Sequence, residues 1–380
     1  MKKSEKFTKT KRPVRVGTLF SGIGAFEQAL LQMKIPHEIV FACDNGERYL
    51  RGKDKKDLST EDIKAMFPGV TGDALEEKVN ELYEATGKPN YVKQSYFANY
   101  KITEDRWHND IRFMDGSKYA GQVDILVGGS PCQSFSTYGK KLGLEDARGT
   151  LFYDYARLIS EIHPKVFIYE NVTGCLTHDR KRTWKVMEGV WRSLGYELAY
   201  DVLNATDYDH PQLRKRLFLV GFRKDIYSTP YSFPAPKKLT KKSTEFLETG
   251  TVDDIYYLGK KGFEWVTNPS KNLRRSRVNQ DIIGCQTANQ QDNWIGDFRV
   301  ERPKPHHYTD KRIYVGKYKI DGVTEEDAVA RKMTPSECLR LMGFTSFNQV
   351  VEDRVLYRQA GNSIVVPVLK EMLKTLKYYL

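Results

Sequence analysis

The sequence predicts an α/β protein with a doubly wound, mostly parallel sheet and a second, smaller domain. Short apolar runs recur between helix-like segments. They lack polar alternation and are bounded by turn residues, as is typical of strands buried on both faces. These runs begin at Val14, Glu38, Asp124, Val166 and Leu217. From residue 228 to 330 the chain changes to prolines, basic residues and polar loops, which predicts the second domain.

Composition narrows the class of protein. Lys and Arg number 61 and Asp and Glu 49 among 380 residues, so the formal charge is +12, which is compatible with a polyanionic partner. No apolar stretch approaches the roughly 20 residues of a membrane span, and residues 1–13 predict a basic, solvated tail rather than a signal peptide. The five cysteines are scattered without metal-ligand spacing. We therefore expect a cytoplasmic protein without a metal site.

The turn after the first strand carries two glycines, in Ser21-Gly-Ile-Gly24. Such a turn lets backbone approach a ligand closely at a helix N-terminus, although it can also be a tight turn without a ligand. The second strand ends on Asp44, which either accepts ribose hydroxyls in a nucleoside pocket or is a solvated loop acid. Asp110 is a second candidate acid, for an adenine amino group. Residues 45–100, with one predicted helix at 74–85, are interpreted as an insertion without assigned chemistry.

Two further side chains lie where open α/β sheets bind ligands, at the ends of predicted strands. Cys132 follows a Gly-Gly-Ser-Pro turn and is either a nucleophile or a small buried hydrophobic residue. Glu170 ends the next strand, where an apolar wall can raise the pKa of a carboxyl group toward neutrality. The alternative for Glu170 is a helix-capping or salt-bridged acid.

The remaining pattern is helical, with one basic segment. An amphipathic helix begins near Leu151, a second ends at Gly195, a third is predicted to start at Thr334, and the chain closes on a helix. Arg214 and Arg216 alternate on an extended segment, so we expect them to share a face. That face suits a carboxylate or phosphate, or it is an exposed basic edge.

Six motifs, in this order, resemble those of the cytosine-C5 DNA methyltransferases. They are Phe20-Ser-Gly-Ile-Gly24, Pro131-Cys-Gln133, Glu170-Asn-Val172, Gln212-x-Arg214-x-Arg216, Arg331 through Phe344, and Gly361-Asn-Ser363. The resemblance covers most of the chain outside residues 45–100 and 228–330, and it implies the S-adenosylmethionine-dependent methyltransferase fold. Family members often carry an aromatic residue after the second-strand acid, where this chain has Asn45.

The resemblance also implies roles for individual residues. The residues implied to surround S-adenosylmethionine, whose product is S-adenosylhomocysteine, are Phe20, Gly22, Gly24, Asp44, Asp110, Ile111, Pro131, Leu151 and Asn362. Cys132 would add to carbon 6 of cytosine, which makes the ring an enamine able to take a methyl group at carbon 5. Glu170 would hold and protonate the ring, with Arg214 and Arg216 as its supports.

The implied partner is double-stranded DNA with its target cytosine flipped out of the helix. The residues expected to contact DNA are Gln133, Ser136, Gln212, Arg274, Arg275, Arg277 and Arg299. The expected domains are a catalytic and cofactor-binding domain at 1–227 and 350–380, and a target-recognition domain and hinge at 228–349. We expect a nucleoid-associated monomer that protects DNA beside a cognate restriction endonuclease. Two alternatives stay open: an RNA (tRNA) cytosine-5 methyltransferase of the same fold, and a DNA-binding regulator without catalysis.

Overall fold

The computed structural model describes residues 12–53, 55–130, 151–272, 275–377 and 379, and they form two compact units. Unit 1 comprises the described residues up to 203 together with 215–235 and those from 368 onward, whereas unit 2 comprises 204–214 and those between 236 and 367. The predicted first domain also included residues 204–214 and 350–367. They lie in unit 2, where Gln212 and Arg214 hydrogen-bond to carbonyls of residues 341, 361 and 363.

The described part of unit 1 contains a seven-stranded sheet. Its strands are β1 (Val14–Leu19), β2 (His37–Cys43), β3 (Trp107–His108), β4 (Ile125–Gly128), β5 (Val166–Asn171), β6 (Tyr196–Asn204) and β7 (Lys215–Arg223). Their spatial order is β3-β2-β1-β4-β5-β7-β6. The pairs from β3 through to β5 are parallel, and β7 runs antiparallel to β5. The predicted doubly wound, mostly parallel sheet is confirmed, and the order reverses between β1 and β4, where such sheets bind ligands.

Helices pack on this sheet because central strands such as β4 and β5 are buried on both faces. The helices described in unit 1 are α1 (Ala25–Gln32), α2 (Thr60–Met66), α3 (Gly72–Ala85), α4 (Tyr91–Asn99), α5 (Leu151–Ile162) and α6 (Arg182–Ser193). The predicted apolar stripe of α5 packs into the core with α6, and Tyr155, Leu158 and Ile162 are fully buried. Helices α2 to α4 belong to the segment 45–100, where only the region of α3 was predicted to be helical.

Unit 2 contains a smaller sheet in the order β10-β11-β9-β8. Its strands are β8 (Ser276–Val278), β9 (Gly296–Glu301), β10 (Gly316–Tyr318) and β11 (Glu326–Lys332), and its helices are α7 (Lys260–Val266), α8 (Pro335–Leu341) and α9 (Asp353–Asn362). The last helix, α10 (Val366–Leu376), continues into unit 1. Phe298 and Val300 of β9 pack with Phe263 of α7. No helix in the described ranges is long and apolar enough to cross a membrane.

The start of α8 in unit 2 is fixed by hydrogen bonds between residues close in sequence. The hydroxyl of Thr334 accepts the N–H of Glu337, and the Glu337 carboxylate accepts the N–H of Thr334, so the two form a capping box. This confirms the predicted helix start. Arg331 donates to both oxygens of Glu337 at 2.9 Å, and the two side chains are 3% and 0% exposed. This buried ion pair joins the end of β11 to α8.

Candidate active site

The turn after β1 is hydrogen-bonded to the end of β2. The N–H of Ser21 donates to the carbonyl of Cys43 at 3.1 Å, and the Ser21 hydroxyl accepts the N–H of Cys43 at 3.0 Å. Gly22 and Gly24 have φ angles of 53° and 73°, which favour glycine. A Cβ on Gly24 would lie 2.2 Å from the ring of Tyr100, whereas at Gly22 the nearest atom would be 4.0 Å away. Gly24 therefore makes room for packing, and Gly22 leaves backbone open to a ligand.

Asp44 stands beside this turn at the end of β2. One carboxylate oxygen accepts the N–H of Gly22 at 2.9 Å and the other accepts the N–H of Gly46 at 2.8 Å. Burial raises the pKa of Asp44, and these two donors counteract the rise. A carboxylate has about four lone-pair positions, so Asp44 can still accept hydroxyl groups from a ligand.

Asp110 follows β3 and has different surroundings. Its Oδ1 accepts the main-chain N–H and the Nε of Arg112, both at 3.0 Å, while Oδ2 accepts Nη2 of Arg112 at 2.8 Å and the hydroxyl of Tyr83 at 2.7 Å. These four donors use the roughly four lone-pair positions of a carboxylate. Asp110 is only 5% exposed. The predicted contact with an adenine amino group would therefore have to displace one of these donors.

The ends of β4 and β5 are tied together by side chains. The hydroxyls of Ser130 and Tyr169 are 2.6 Å apart, and Nδ2 of Asn171 donates to the Ser130 carbonyl at 3.2 Å. A Cβ on Gly129 would lie 2.2 Å from the Glu170 carbonyl and 3.3 Å from a carboxylate oxygen of Glu170. Glu170 is thus held against the residues that lead to 131–133. The predicted site residues Pro131, Cys132, Gln133 and Ser136 lie outside the described residues.

Arg216 makes the ion pair with Glu170. Its Nε lies 3.2 Å from Oε1 of Glu170, across the antiparallel β5–β7 pair, and the side chains are 19% and 16% exposed. A charge-assisted contact of this kind orients the carboxylate. The structure therefore places Arg216 as an ion-pair partner of Glu170.

Arg214 has separate partners, which corrects the expectation that the two guanidinium groups share one face. Strand β7 begins at Lys215, so strand alternation does not reach Arg214. Its Nη1 donates to the carbonyl of Gln286 at 2.7 Å, and its Nη2 donates to the carbonyls of Gly361 at 3.0 Å and Ser363 at 2.6 Å. Arg214 is 4% exposed. It connects loops within unit 2.

The other residues predicted to bind the cofactor fall in both units. Phe20 and Leu151, the first residue of α5, are partly buried against the unit 1 core. Ile111 is buried, and its carbonyl accepts Nη2 of Arg157 at 2.7 Å. Asn362 is the exposed last residue of α9, in unit 2. Unit 1 therefore gathers the glycine turn and the acids at the ends of β1, β2 and β3.

Gln212 was predicted to contact DNA, and the structure corrects this prediction. The side chain is fully buried, its Nε2 donates to the carbonyl of Leu341 at 2.8 Å, and its Oε1 accepts the N–H of Gln286 at 3.2 Å. A buried amide with both ends engaged stabilises the main chain around it. Burial also lowers the pKa of the neighbouring His210 to about 4, and its Nε2 bonds to the same carbonyl of Leu341.

The arginines predicted to contact DNA differ in their surroundings. Arg277 Nη2 binds Oδ2 of Asp297 at 2.8 Å. Arg275 is exposed and, with Arg277, lines a cleft of about 180 Å³ in unit 2. Arg299 is half-buried opposite Arg331 in the β9–β11 pair, and it makes no ion pair within the described residues. Burial and the charge of Arg331 lower the pKa of Arg299. Arg274 lies outside the described residues.

One group of side chains in unit 2 has the composition of a metal site. Ligand atoms of Asp254, His306 and His307 lie within 4.8 Å of one another. However, Nδ1 of His307 accepts the N–H of Lys304 at 3.0 Å, so the proton of the neutral ring is on Nε2, the atom that faces Asp254 at 3.9 Å. A protonated Nε2 has no lone pair for a metal ion. The group does not change the expectation that the protein has no metal cofactor.

Polar side chains of the segment 45–100 were not predicted to belong to the site. Asn90 Nδ2 donates to the Asp44 carbonyl at 2.9 Å, and Arg48 Nη2 donates to Oδ1 of Asn109 at 2.7 Å. In the sequence, Asn90 indicates only a helix start, because asparagine often begins helices. Its second contact, with the end of β2, could not be read from the helix pattern.

Comparisons with known proteins identify the family. The family model for C-5 cytosine-specific DNA methylases matches residues 65–378. The type II methyltransferase M1.ScrFI of Lactococcus lactis subsp. cremoris is 33% identical over 311 residues, covering 80% of this chain and 75% of that protein. The type II methyltransferase M.HhaI of Haemophilus parahaemolyticus is 32% identical over 308 residues, covering 80% of this chain and 90% of that protein.

Solved structures show the same fold. The crystal structure of the S. pombe Dnmt2 methyltransferase superposes with a TM-score of 0.63 at 18% identity, covering 96% of this chain and 98% of that one. At that identity the likeness concerns the fold alone. The family model covers more than half of the chain and the two type II relatives exceed 30% identity, so the chain belongs to the C-5 cytosine-specific DNA methylase family.

Proposed function

We propose that the protein transfers a methyl group from S-adenosylmethionine to carbon 5 of a flipped cytosine in a specific double-stranded DNA sequence, through a covalent bond to Cys132. The observation that carries the proposal is the Glu170–Arg216 ion pair, held against Gly129 at the end of the strand that leads to Cys132. Family membership supports methyl transfer to cytosine.

The glycine turn and Asp44 fit the adenosine end of the cofactor, which supplies an electrophilic methyl group when bound. The nearest atom to a Cβ placed on Gly22 would be 4.0 Å away, so its backbone is accessible to a ligand. Asp44 keeps lone pairs for hydroxyl groups of the ligand. Phe20, Ile111 and Leu151 would add apolar contacts near the ends of β1 and β3 and the start of α5. Pro131 and Asn362 are assigned to the cofactor by the resemblance.

The proposed chemistry needs a nucleophile and a proton donor. The Cys132 thiolate gives an electron pair to carbon 6, and the displaced ring electrons become available at carbon 5. Glu170 donates a proton to N3 as negative charge develops on the ring, with Arg216 fixing its carboxylate. After methylation a base such as water takes the carbon-5 proton, the electron pair restores the double bond and expels the Cys132 thiolate, and N3 returns its proton to Glu170. The base must leave the duplex first, at a cost of a few kcal/mol.

We further propose that the protein acts as a cytoplasmic monomer with unit 2 as the target-recognition domain. Type II relatives and the net charge of +12 support a DNA substrate and a pairing with a cognate restriction endonuclease. Bisulfite sequencing of DNA from cells that express the protein tests this directly. We expect protected cytosines in one short sequence context. Unmodified DNA together with methylated transfer RNA would overturn the DNA assignment.

A further inference from the structure

We propose that the helical segment 45–100 is part of the cofactor site, with Asn90 and Tyr83 as positioning residues for Asp44 and Asp110. This inference rests on the proposed function, because it takes the ends of β2 and β3 as the place where adenosine binds. The segment was interpreted from sequence as an insertion without chemistry. Its polar side chains contact Asp44, Asp110 and the residue Asn109 that precedes Asp110.

Strand pairing alone does not hold these acids in place. The β2–β3 ladder pairs Ala42 with Trp107 and Cys43 with His108, and it ends there. One more hydrogen bond joins the N–H of Asp44 to the carbonyl of His108, at 3.0 Å. Beyond this point, side chains of the segment 45–100 supply further contacts, in addition to those that Gly22 makes with Asp44 and Arg112 makes with Asp110.

Asn90 is the link to Asp44. It begins α4, where its Oδ1 accepts the N–H of Lys93 at 2.9 Å. Its Nδ2 donates to the main-chain carbonyl of Asp44 at 2.9 Å and to Oδ1 of Asn109 at 3.2 Å. Asn90 is 7% exposed, and a Cβ on Gly46 would lie 2.2 Å from its Oδ1. It therefore packs against the turn whose N–H binds the Asp44 carboxylate.

Asn109, which directly precedes Asp110, gathers more donors from the same segment. Its Oδ1 also accepts Nη2 of Arg48 at 2.7 Å, and its Nδ2 donates to Oδ1 of Asn80 at 2.8 Å. Asn109 is 8% exposed, so these bonds are shielded from water. One buried amide thus connects α3, α4 and the residues after β2 to the end of β3.

Tyr83 holds Asp110 directly. This fully buried side chain of α3 donates its hydroxyl to Oδ2 of Asp110 at 2.7 Å, on the carboxylate that Arg112 also binds. Since four donors engage this carboxylate, Asp110 fixes the course of the loop that carries Ile111. Asp44 and the backbone of that loop are left to meet the adenosine.

The substitution Asn90→Asp separates positioning from helix stability. Aspartate begins helices as well as asparagine does and keeps an acceptor for Lys93, but its carboxylate cannot donate to Asp44 or Asn109. We expect the Kd for S-adenosylhomocysteine, measured by calorimetry, to rise about tenfold or more. The KM for S-adenosylmethionine should rise with it, while kcat at saturating S-adenosylmethionine stays within about twofold of the parent value.

Two further variants complete the test. Asn268→Asp makes the same chemical change in unit 2, where Oδ1 of Asn268 accepts the N–H of Ser270, and it should leave the Kd unchanged. Tyr83→Phe removes one hydroxyl from α3 and should also raise KM without lowering kcat, which keeps the test valid if Asn90→Asp does not fold.

The outcomes distinguish this inference from the proposed function. If the parent protein does not bind S-adenosylhomocysteine, the proposed function fails first. If the parent binds and the folded variants bind equally tightly, or lose kcat with an unchanged KM, the positioning role of the segment is overturned and the proposed function stands.

Discussion

Arg216→Gln tests whether the ion pair at Glu170 serves catalysis. The substitution removes the guanidinium group, whose Nε lies 3.2 Å from Oε1 of Glu170, and leaves a neutral amide on a side chain two atoms shorter. A hydrogen bond to a charged group contributes about 1.5–3 kcal/mol, which corresponds to roughly 10- to 150-fold in rate. Because the two side chains are 19% and 16% exposed, water replaces part of the contact. We therefore expect kcat/KM to fall about 10- to 50-fold, at the lower end of that range.

The assay is single-turnover transfer of a labelled methyl group to duplex DNA, with S-adenosylhomocysteine affinity measured in parallel. Arg223→Gln is the matched control. It breaks an arginine–carboxylate pair at the other end of β7, where Arg223 lies 2.7 Å from Asp225 and the side chains are 31% and 60% exposed. That exposed pair should change neither rate nor affinity measurably. Equal rates for the parent and Arg216→Gln, or a loss explained by weaker cofactor binding, would refute the assigned role of Arg216.

Two other predictions concern unit 2. Arg299→Ala should weaken binding to DNA and reduce the slope of its salt dependence by about one, since Arg299 has no ion pair within the described residues. Arg277→Ala should mainly lower stability, by ~1–3 kcal/mol, because it leaves the buried carboxylate of Asp297 with the N–H of Gly284 but without its cation. Equal salt slopes for Arg299→Ala and the parent would contradict the first part. The pKa of His210, lowered from 6.5 to about 4, predicts that its contribution to stability is complete above pH 6.5 and is lost as the pH falls toward 4. Urea unfolding at pH 4.5 and 7.5 should show this loss, about 2–3 kcal/mol, in the parent and not in His210→Gln; the same pH dependence in both proteins would contradict it.

The sequence predicts best where the chemistry is local. Apolar runs without alternation identify β1, β2, β4 and β5, because both faces of these strands are buried. The positions of Gly22, Asp44 and Glu170 follow from the same runs, since each lies at a strand end. The start of α8 at Thr334 follows from its capping box.

The remainder depends on contacts between residues far apart in the chain. Gln212 bonds to Leu341, 129 positions away in the sequence, and Arg214 bonds to Gly361, 147 positions away. Their motif therefore predicts polar contacts for these side chains but not that they are buried. In the segment 45–100, Asn90 can be identified as a helix cap, whereas its bond to Asp44 depends on how the segment packs against the sheet. At Asn45, where family members often carry an aromatic residue, the side chain donates to the carbonyl of Arg48 and accepts the N–H of Glu47. Asn45 therefore closes its own turn.

The covalent route through Cys132 is most directly tested with duplex DNA that carries 5-fluorocytosine at the target position. The thiolate adds to carbon 6 and the methyl group arrives at carbon 5, but fluorine cannot leave as a cation, so Cys132 cannot be expelled. We predict a protein–DNA complex that survives denaturation, forms only with S-adenosylmethionine, and maps by mass spectrometry to Cys132. Cys132→Ser should form none, because a hydroxyl is far less ionised than an activated thiol. Normal turnover of the fluorinated DNA, or an adduct at another residue, would contradict the account.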